Sequence, residues 1–434
     1  MKKTLLFAML LLAMAGTMNA QDVYAGGCKI FDDKGTRIPG VYKNGTLLYH
    51  DGEPGDGYQY DSYSMMAVDP ETQDVYWFSA RQNSSYVYDR ACLWKNDEVY
   101  ASFITIEDYA PDIEGFHFVR FNDTGHTAVI TAGFDNYENG ANLLDCATIW
   151  KDGERLYAPT LSELKASIAR DVVVVGDNEN DCDYYYCGEI YNSDWDPLIV
   201  VWHNNEMLYQ LTETESYTYK IDYCDGNLYT LGVEYNPETD CDRSVVWMWD
   251  QPLYIMEMEN HTVWAESMVI ESGNVWVITR THEMGGISKN DVPYDITIWK
   301  NGEVVYTHNF PGYVFIRGLD VTSNGVYYTI DNDVYKDGEV LFTYEDRVEL
   351  LNMQVIESLS VNETAASTFS VYPNPATDII RIENGSDEAV AIYNATGQLV
   401  MSVGATDGNI SVSGLPTGLY LLKHGGKTAQ FIKE

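Results

Sequence analysis

Short apolar runs alternate with polar turns along most of the chain. Many of these runs combine β-branched and aromatic residues with partial period-two alternation, which is typical of strands that pack one face against a neighbouring sheet. In residues 217–258, such runs occupy positions 219–223, 228–233, 244–247 and 253–256. Helical periodicity is scarce, and its best candidate, residues 161–170, is short. The pattern therefore predicts an all-β protein built from groups of four short strands.

One motif recurs seven times: an aromatic residue, a polar turn, and a second aromatic residue six or seven positions after the first. The clearest copies are WKDGERLY (150–157), WKNGEVVY (299–306) and YKDGEVLF (335–342), and the others begin at Tyr42, Trp94, Trp202 and Trp247. The first aromatic residues are 52, 56, 52, 45, 52 and 36 residues apart, near the ~40–50 residues of a four-stranded propeller blade. The Asn-Gly and Asp-Gly pairs supply the positive φ angles that a two-residue hairpin needs.

The two ends of the repeat region predict how it closes. Residues 22–26 look like the second strand of a sheet whose third and fourth strands lie in residues 41–49, and the first strand is missing. Residues 348–356 look like a first strand without a successor. Pairing of the two ends predicts a seven-bladed β-propeller with no open edge. Six blades, eight blades and an open array of β-sandwiches are the alternatives.

The first twenty residues are predicted to be a secretory signal that is removed. Lys2 and Lys3 precede the apolar run LLFAMLLLAMAG, and Met18-Asn19-Ala20 forms a small-residue cleavage site. A membrane anchor is the alternative, but the run is short and is followed at once by polar residues. A lipoprotein acylated at Cys28 is a further alternative. No later stretch is apolar enough to span a bilayer. The predicted propeller domain begins after the signal and comprises residues 21–356.

The end of the chain has a different pattern. Residues 357–368 are small and polar and predict a linker. Residues 369–434 hold six or seven short apolar runs separated by Gly, Pro and Asn turns, which predict a small immunoglobulin-like β-sandwich. Three ordered motifs stand out in this segment. Their characteristic residues are Pro373, Asn374, Pro375, Gly397, Pro416, Gly418 and Tyr420.

The three blocks VYPNPATDIIRI, IYNATGQLV and LPTGLYLLKHGGKTAQFIKE resemble the type A C-terminal sorting domain of the Bacteroidetes type IX secretion system. The resemblance implies that the N-terminal signal takes the chain to the periplasm and that the type IX machinery then recognises the folded tail. It further implies a product that is secreted or attached to the outer-membrane surface. The alternative is an ordinary sandwich domain that binds sugar or protein.

Charge and cysteine content narrow the class of ligand. The formal net charge is −40, and residues 369–434 contribute only six acids against four bases. Such an acidic surface repels nucleic acid and anionic lipid, so neither is an expected partner. No CxxC pair supports a zinc ribbon or a thioredoxin-like site. Disulfides are chemically possible after export, but the sequence does not assign their connectivity. The seven cysteines are Cys28, Cys92, Cys146, Cys182, Cys187, Cys224 and Cys241.

The loops predict where a ligand would bind. In a propeller, the connections from strand two to three and from strand four to the next blade share one face. Here that face carries the long, varied loops, and loops held by a rigid frame tend to carry binding residues. Aromatic rings on them are suited to stacking on sugars, and carboxylates to accepting hydroxyl hydrogens; packing is the alternative role. The predicted ligand-binding residues are Tyr86, Tyr88, Asp135, Tyr137, Asp194, Trp195, Asp196 and Tyr235.

One acidic segment, residues 177–183, carries alternating oxygen side chains that resemble the start of a calcium loop. The Gly at the sixth position and the distal Glu of an EF-hand are absent, and a solvated turn is the alternative. No cofactor other than Ca²⁺ is suggested. The candidate Ca²⁺ ligands are Asp177, Glu179, Asp181 and Asp183.

Signatures of catalysis are scarce. His282-Glu283 lacks the second His of a zinc-protease helix, and no nucleophile elbow or phosphate-binding loop occurs in a suitable context. The sequence therefore predicts an exported, non-enzymatic propeller that binds a glycan or a host or matrix protein. The first alternative is a glycoside hydrolase or polysaccharide lyase, which needs two carboxylates placed across the channel. The second alternative is a structural component of a surface layer.

Overall fold

The computed structural model separates the chain into two compact units, Gln21–Glu357 and a unit that includes Ser358–Glu434. All regular secondary structure among the described residues is β-strand. The described part of the chain contains no helix with the length and apolarity needed to cross a membrane. The described residues are 21–30, 37–52, 63–82, 88–103, 112–139, 142–159, 166–283, 292–344, 347–357, 370–383, 390–394, 399–404, 409–424 and 427–434.

The N-terminal unit contains seven four-stranded antiparallel sheets. The first three strands of the unit are β1 (Gln21–Ile30), β2 (Arg37–Lys43) and β3 (Thr46–His50). The second and third sheets contain β4 (Tyr63–Val68), β5 (Val75–Gln82), β6 (Tyr88–Lys95) and β7 (Glu98–Ser102), then β8 (Asp112–Arg120), β9 (Thr127–Asn139), β10 (Asn142–Lys151) and β11 (Glu154–Tyr157). The fourth and fifth contain β12 (Ala166–Val175), β13 (Asp183–Tyr191), β14 (Pro197–His203) and β15 (Glu206–Gln210), then β16 (Ser216–Cys224), β17 (Asn227–Asn236), β18 (Cys241–Met248) and β19 (Gln251–Met256). The sixth and seventh contain β20 (His261–Glu271), β21 (Asn274–Glu283), β22 (Tyr294–Lys300) and β23 (Glu303–Phe310), then β24 (Leu319–Thr322), β25 (Gly325–Ile330), β26 (Asp333–Lys336) and β27 (Glu339–Thr343).

The first sheet is completed by the end of the unit. Its fourth member, β28 (Val348–Glu357), pairs antiparallel with β1, and the strand order is β28-β1-β2-β3. Gln21 pairs with Glu357, and Val23 pairs with Val355. The predicted pairing between the two ends of the repeat region is confirmed. The best helix candidate was residues 161–170; residues 166–170 lie instead in β12, and residues 161–165 are outside the described residues.

The repeated motif forms the hairpin between the third and fourth strands of every sheet. Each hairpin turn has two residues, and the first has a φ angle between 50° and 56°. In six of the seven turns this residue is Asn or Asp, and its side-chain oxygen accepts a hydrogen bond from the first residues of the second strand, as Asn301 Oδ1 does from Val275 N at 2.9 Å. Trp249 occupies the seventh position and bonds through its backbone only to Leu228 O. The repeat therefore encodes both the hairpin turn and a hydrogen bond from the turn side chain to the second strand of the sheet.

Neighbouring sheets pack through their faces and through their first strands. The core cluster around Trp202 and Tyr186 of the fourth sheet includes Ile149 of the third. Each first strand contacts the first strand of the next sheet, from β4 in chain order to β28, and β28 in turn contacts β4. Gln354 on β28 joins the last pair, because its Oε1 accepts a hydrogen bond of 2.7 Å from Val68 N.

The C-terminal unit holds two antiparallel sheets around a shared apolar core, with the orders β29-β30-β33 and β32-β31-β34-β35. Ile380 and Ile410 from one sheet and Leu422 and Phe431 from the other are fully buried in this core. The strands are β29 (Ser370–Tyr372), β30 (Ile379–Glu383), β31 (Val390–Asn394), β32 (Leu399–Val403), β33 (Asn409–Ser411), β34 (Gly418–His424) and β35 (Lys427–Lys433). The predicted signal, residues 1–20, and linker residues 358–368 are outside the described residues.

Candidate functional site

Two cavities lie among the first strands of the seven sheets. The first cavity, of about 400 Å³, is lined by residues near the beginnings of these strands, such as Ile113 on β8 and Tyr217 on β16. The second cavity, of about 350 Å³, is lined by residues farther along the same strands, such as Phe118 and Asp222. Because strand two ends where strand one begins, the first cavity lies at the end of the long, varied loops. Its charged lining residues are Arg37, Asp112, Glu114, Arg170, Glu189, Lys220, Glu266, Arg317 and Glu349.

Arg170 anchors one wall of the first cavity. Its Nε donates to Glu189 Oε2 at 2.8 Å, and its Nη1 lies 3.1 Å from Glu114 Oε1. The Glu189 side chain is fully buried, and its Oε1 accepts a hydrogen bond of 2.7 Å from Thr218 N of the next sheet. Burial raises the pKa of the Glu189 carboxyl, and the Arg170 charge opposes that shift. The pair therefore ties the fourth sheet to the fifth.

Glu266 on β20 is a second buried acidic residue that lines the first cavity. Its carboxylate lies 2.8 Å from Arg280 Nη2 and 3.9 Å from Arg317 Nε. Burial raises the pKa of the Glu266 carboxyl, and the two arginines oppose the shift. The neighbouring Tyr219 hydroxyl accepts a hydrogen bond from Trp264 Nε1, and burial raises the pKa of that phenol. Glu266 thus has one close cationic partner and one distant one.

Cys28 lines the cavity beside an ion pair, in which Arg37 Nη2 lies 2.8 Å from Glu349 Oε2. Burial raises the pKa of the Cys28 thiol to about 12, and the Glu349 charge adds to the shift. A thiol with so high a pKa holds almost no thiolate at neutral pH, and thiolate is the nucleophilic form. Cys28 is buried, and its high pKa favours a role in packing.

The second cavity contains three titratable groups whose pKa values burial shifts in favour of the uncharged form. Burial raises the pKa of Asp320 to about 7 and that of Asp222 to about 6. Burial lowers the pKa of His117 to about 4, and the Lys220 charge adds to the effect. Lys220 Nζ lies 3.5 Å from Asp171 Oδ2. Near neutral pH, the low pKa of His117 favours its neutral imidazole. The raised pKa values of Asp320 and Asp222 lie close to that pH, so their carboxyl groups are suited to taking up and releasing protons.

Three predicted ligand-binding residues share one turn between β13 and β14. Asn192 Oδ1 accepts hydrogen bonds from the backbone N of Asp194 at 2.9 Å and of Asp196 at 3.0 Å. Trp195 has a φ of 71° and a side chain that is 58% exposed, with its ring centroid 6.3 Å from that of Tyr191. The turn therefore presents an aromatic ring between two carboxylates to solvent.

The other predicted contacts are dispersed. Tyr235 donates its hydroxyl hydrogen to Asp240 Oδ1 at 2.6 Å, and Asp135 pairs with Arg155. Tyr86 lies outside the described residues, as do the side chains of Tyr88 and Tyr137. Asp135, Asp194, Trp195, Asp196 and Tyr235 do not line either cavity. Their role in binding stays a prediction.

The candidate calcium segment forms the connection between β12 and β13. Glu179 is 2.5 Å from Lys151 Nζ and 2.7 Å from His126 Nδ1. The hydrogen bond from Lys151 makes the largest contribution, followed by the one from His126, and together they lower the pKa of the Glu179 carboxyl to about 2. Asp177 accepts a hydrogen bond of 2.7 Å from Asn122, and Asp183 lies 2.7 Å from His203 Nε2.

The residues of this segment therefore have separate protein partners, while Asp181 contributes its backbone N to a turn with Asn178 O. Across the ranges that the structure describes, no group of three or more His, Cys, Asp or Glu side chains is placed to hold a metal ion. Calcium binding stays a prediction.

The motif residues of the tail have structural contacts. Tyr420 donates its hydroxyl hydrogen to Pro416 O at 2.8 Å and packs against Phe431. Asn374 Oδ1 accepts a hydrogen bond of 2.9 Å from Ile432 N, so the first motif contacts the last strand. Pro373, Pro375 and Gly418 lie in the same unit, and Gly397 is outside the described residues.

The sequence contains a weak signal for the first cavity that our site prediction missed. Three basic residues of this very acidic chain lie on or just before the first strands of their sheets, and each is followed by Asp one to three positions later. They are Arg170, Lys220 and Arg317. Recognising this signal would have required the alignment of the seven first strands, whose sequences otherwise differ.

Comparison with known proteins identifies the tail. Residues 370–434 match the family model described as the secretion system C-terminal sorting domain. This match confirms the resemblance to the type IX sorting domain. The sorting domain therefore implies export through the type IX machinery. The exported protein is secreted or attached to the outer-membrane surface. No curated protein matches the chain.

Solved structures show only distant likeness. A puromycin-hydrolysing peptidase of Mycobacterium tuberculosis is 11% identical, with a TM-score of 0.41, and the match covers 82% of this chain and 55% of that one. BamB from Moraxella catarrhalis is 8% identical, with a TM-score of 0.36 and coverage of 75% and 96%. The endosialidase of phage phi92 is 9% identical, with a TM-score of 0.37 and coverage of 95% and 83%. The chain thus spans about half the length of the peptidase.

Proposed function

We propose that the seven sheets of residues 21–357 form a closed seven-bladed β-propeller. Two observations support the proposal. Strand β28 completes the sheet of β1, so the last strand of the unit is fixed to the first. The first strands contact one another in sequence, and β28 contacts both β24 and β4. A ring closed in this way leaves the inner edges of the sheets short and protected by the neighbouring sheets.

We further propose that this propeller is an exported binding protein for a glycan or a host or matrix protein, with its site in the first cavity. The observation that carries the proposal is the convergence on that cavity of residues from six of the sheets and of Arg317, which lies just before the seventh. Concave sites with a few well-placed polar groups are typical of ligand pockets, and the cavity volume lies in their usual range.

Binding is favoured over hydrolysis because the cavity carboxylates already have cationic partners. Glu189 pairs with Arg170, and Glu349 pairs with Arg37. A glycosidase needs one carboxyl as a proton donor and a second as a base or nucleophile at a set separation. Carboxylates committed to arginine are poorly suited to either role, whereas the alternating charges suit recognition of a polar ligand.

An array of glycans and of host and matrix proteins tests the proposal, with hydrolysis of each glycan measured in parallel. Met65 lines the first cavity, and we expect Met65→Trp to fill it and to abolish binding. The matched control is Met207→Trp, because the Met207 side chain is 44% exposed and lies away from both cavities. We expect the control to bind as the unaltered chain does.

Three results would contradict the proposal. Hydrolysis of a glycan without stable binding would favour the hydrolase or lyase alternative. Full binding by Met65→Trp would place the site outside the first cavity, for example at the exposed turn that carries Trp195. Ordered self-assembly with no ligand on the array would favour a structural role.

The export route is proposed in its finer detail. Residues 1–20 direct the chain to the periplasm, the propeller folds there, and the machinery then takes the tail, residues 369–434, across the outer membrane. The support is the signal pattern at the N-terminus together with the sorting domain at residues 370–434.

A further inference from the structure

The two cavities adjoin at a pair of cationic side chains. Among the described residues that line them, Lys220 and Arg317 belong to both cavities, and no other residue does. Lys220 lies on β16, and Arg317 lies two residues before β24. We name these two residues the neck. Two cationic side chains therefore lie where the first cavity meets the second, although the chain carries a formal charge of −40.

Both neck cations have distant carboxylate partners. Lys220 Nζ is 3.5 Å from Asp171, and Arg317 Nε is 3.9 Å from Glu266. By contrast, Arg37 and Arg170 each lie 2.8 Å from a glutamate oxygen.

The distant partners are themselves engaged by other groups. Asp171 Oδ2 accepts a hydrogen bond of 3.1 Å from Ile221 N, and Glu266 is 2.8 Å from Arg280. A Lys ammonium has three donors and an Arg guanidinium has five. Most donors of the neck therefore have no protein acceptor in the described part of the chain.

We propose that the neck binds an oxyanion, a carboxylate or a sulfate, carried by a sugar that occupies the first cavity. This inference rests on the proposed function and specifies the class of ligand. Arg317 presents a planar fork that fits an oxyanion with two bonds, and Lys220 supplies a compact second charge. Side chains of Tyr217 and Tyr219, from the strand that carries Lys220, line the cavity beside the neck and offer aromatic surface to a sugar ring.

The acidic surface does not prevent this binding. At physiological ionic strength, charges separated by more than about 8 Å are largely screened. Solvent reaches both neck side chains, which are 31% and 45% exposed, and a bound oxyanion would lie in direct contact with them. The contact charges therefore decide the sign of the interaction, and the distant carboxylates mainly slow the approach of an anion.

Calorimetric titration of the full chain with glucuronate, glucose 6-sulfate, glucose and inorganic sulfate tests the inference. We expect both acidic sugars to bind at least tenfold more tightly than glucose, a difference of about 1.4 kcal/mol. Arg317→Gln and Lys220→Gln should each weaken acidic-sugar binding at least tenfold. The control is Arg243→Gln, because Arg243 lines neither cavity and pairs with Glu234 at 2.7 Å. Thermal melting of each variant establishes that it is folded.

The outcomes separate the sources of the anion and the two proposals. Binding of glucuronate alone assigns a carboxylate to the neck, and binding of the sulfated sugar alone assigns a sulfate. Unchanged binding of acidic sugars in a folded double variant, Lys220→Gln with Arg317→Gln, would overturn the inference. Equal binding of glucose and glucuronate, with loss in Met65→Trp, would overturn the inference and leave the proposed function intact. Binding of inorganic sulfate while none of the three sugars binds would also overturn the inference.

Discussion

Replacing Asp320 with Asn should change how the stability of the N-terminal unit, residues 21–357, depends on pH. Asp320 is half-buried on β24, where its Oδ1 accepts a hydrogen bond of 2.8 Å from Val321 N and its Oδ2 accepts one of 2.6 Å from Val355 N on β28. Burial raises the pKa of its carboxyl to about 7, against the two hydrogen bonds, which favour the charged form. The substituted amide would keep the shape and one acceptor but would not ionise.

The sign and size follow from proton linkage. An unfolded Asp has a pKa of about 3.9, so the folded state holds its proton more tightly and is stabilised by protonation. That stabilisation is fully present below the unfolded pKa of about 3.9, falls steadily as pH rises above it, and is lost once pH passes about 7. Between pH 5 and pH 8, the charge of Asp320 should reduce the free energy of unfolding by about 2 to 3 kcal/mol. The Asn variant lacks this decrease.

Urea denaturation from pH 5 to pH 8.5 measures the effect as the difference between the variant and the unaltered chain. We expect Asp320→Asn to gain stability relative to the unaltered chain by about 2 to 3 kcal/mol across this interval, whatever their difference at pH 5. The control Asp250→Asn removes an exposed carboxylate and should follow the unaltered chain at every pH. A pH-independent difference for Asp320→Asn would refute the reasoning, because it would mean that the carboxyl does not titrate in this range.

Two further predictions concern the hairpin turn and the tail. Asn301→Ala removes the acceptor of the 2.9 Å bond from Val275 N and places Ala at a φ of 52°, so urea denaturation should show a loss of about 1 to 3 kcal/mol. Asn301→Asp keeps the acceptor and should lose less than about 1 kcal/mol; equal losses in both variants would argue against this role of the hydrogen bond. A chain that lacks residues 370–434 should fail to reach the medium or the cell surface, as measured by fractionation and immunoblotting. Normal appearance outside the cell would refute the sorting function of the tail.

Local signals made the sheets predictable. The third-to-fourth strand hairpin is set by adjacent residues, and the motif that begins at Trp299 forms β22, a two-residue turn and β23. The pairing of β28 with β1 was predictable because each end of the repeat region lacked a complementary strand. Residues 166–170 were misleading as a helix candidate, because their packing as the first strand of a sheet overrides weak helical periodicity.

The cavity was not predictable from the same signals. It is formed by residues of different sheets that are distant in sequence, such as Glu114 and Arg170. Composition drew attention to tyrosines and acids on long loops, whereas in the described residues the convergent groups lie mainly on or beside the first strands and include four cations. A basic residue in the first strand of a sheet has no special local sequence pattern. The arrangement of the sheets decides which carboxylate it contacts.

A crystal structure of the full chain soaked with the best ligand from the array tests the central claim most directly. We predict seven four-stranded sheets closed by the β1–β28 pairing, with ligand density in the first cavity and its anionic group between Lys220 and Arg317. Ligand density outside both cavities, or a chain in which β28 does not pair with β1, would contradict the account.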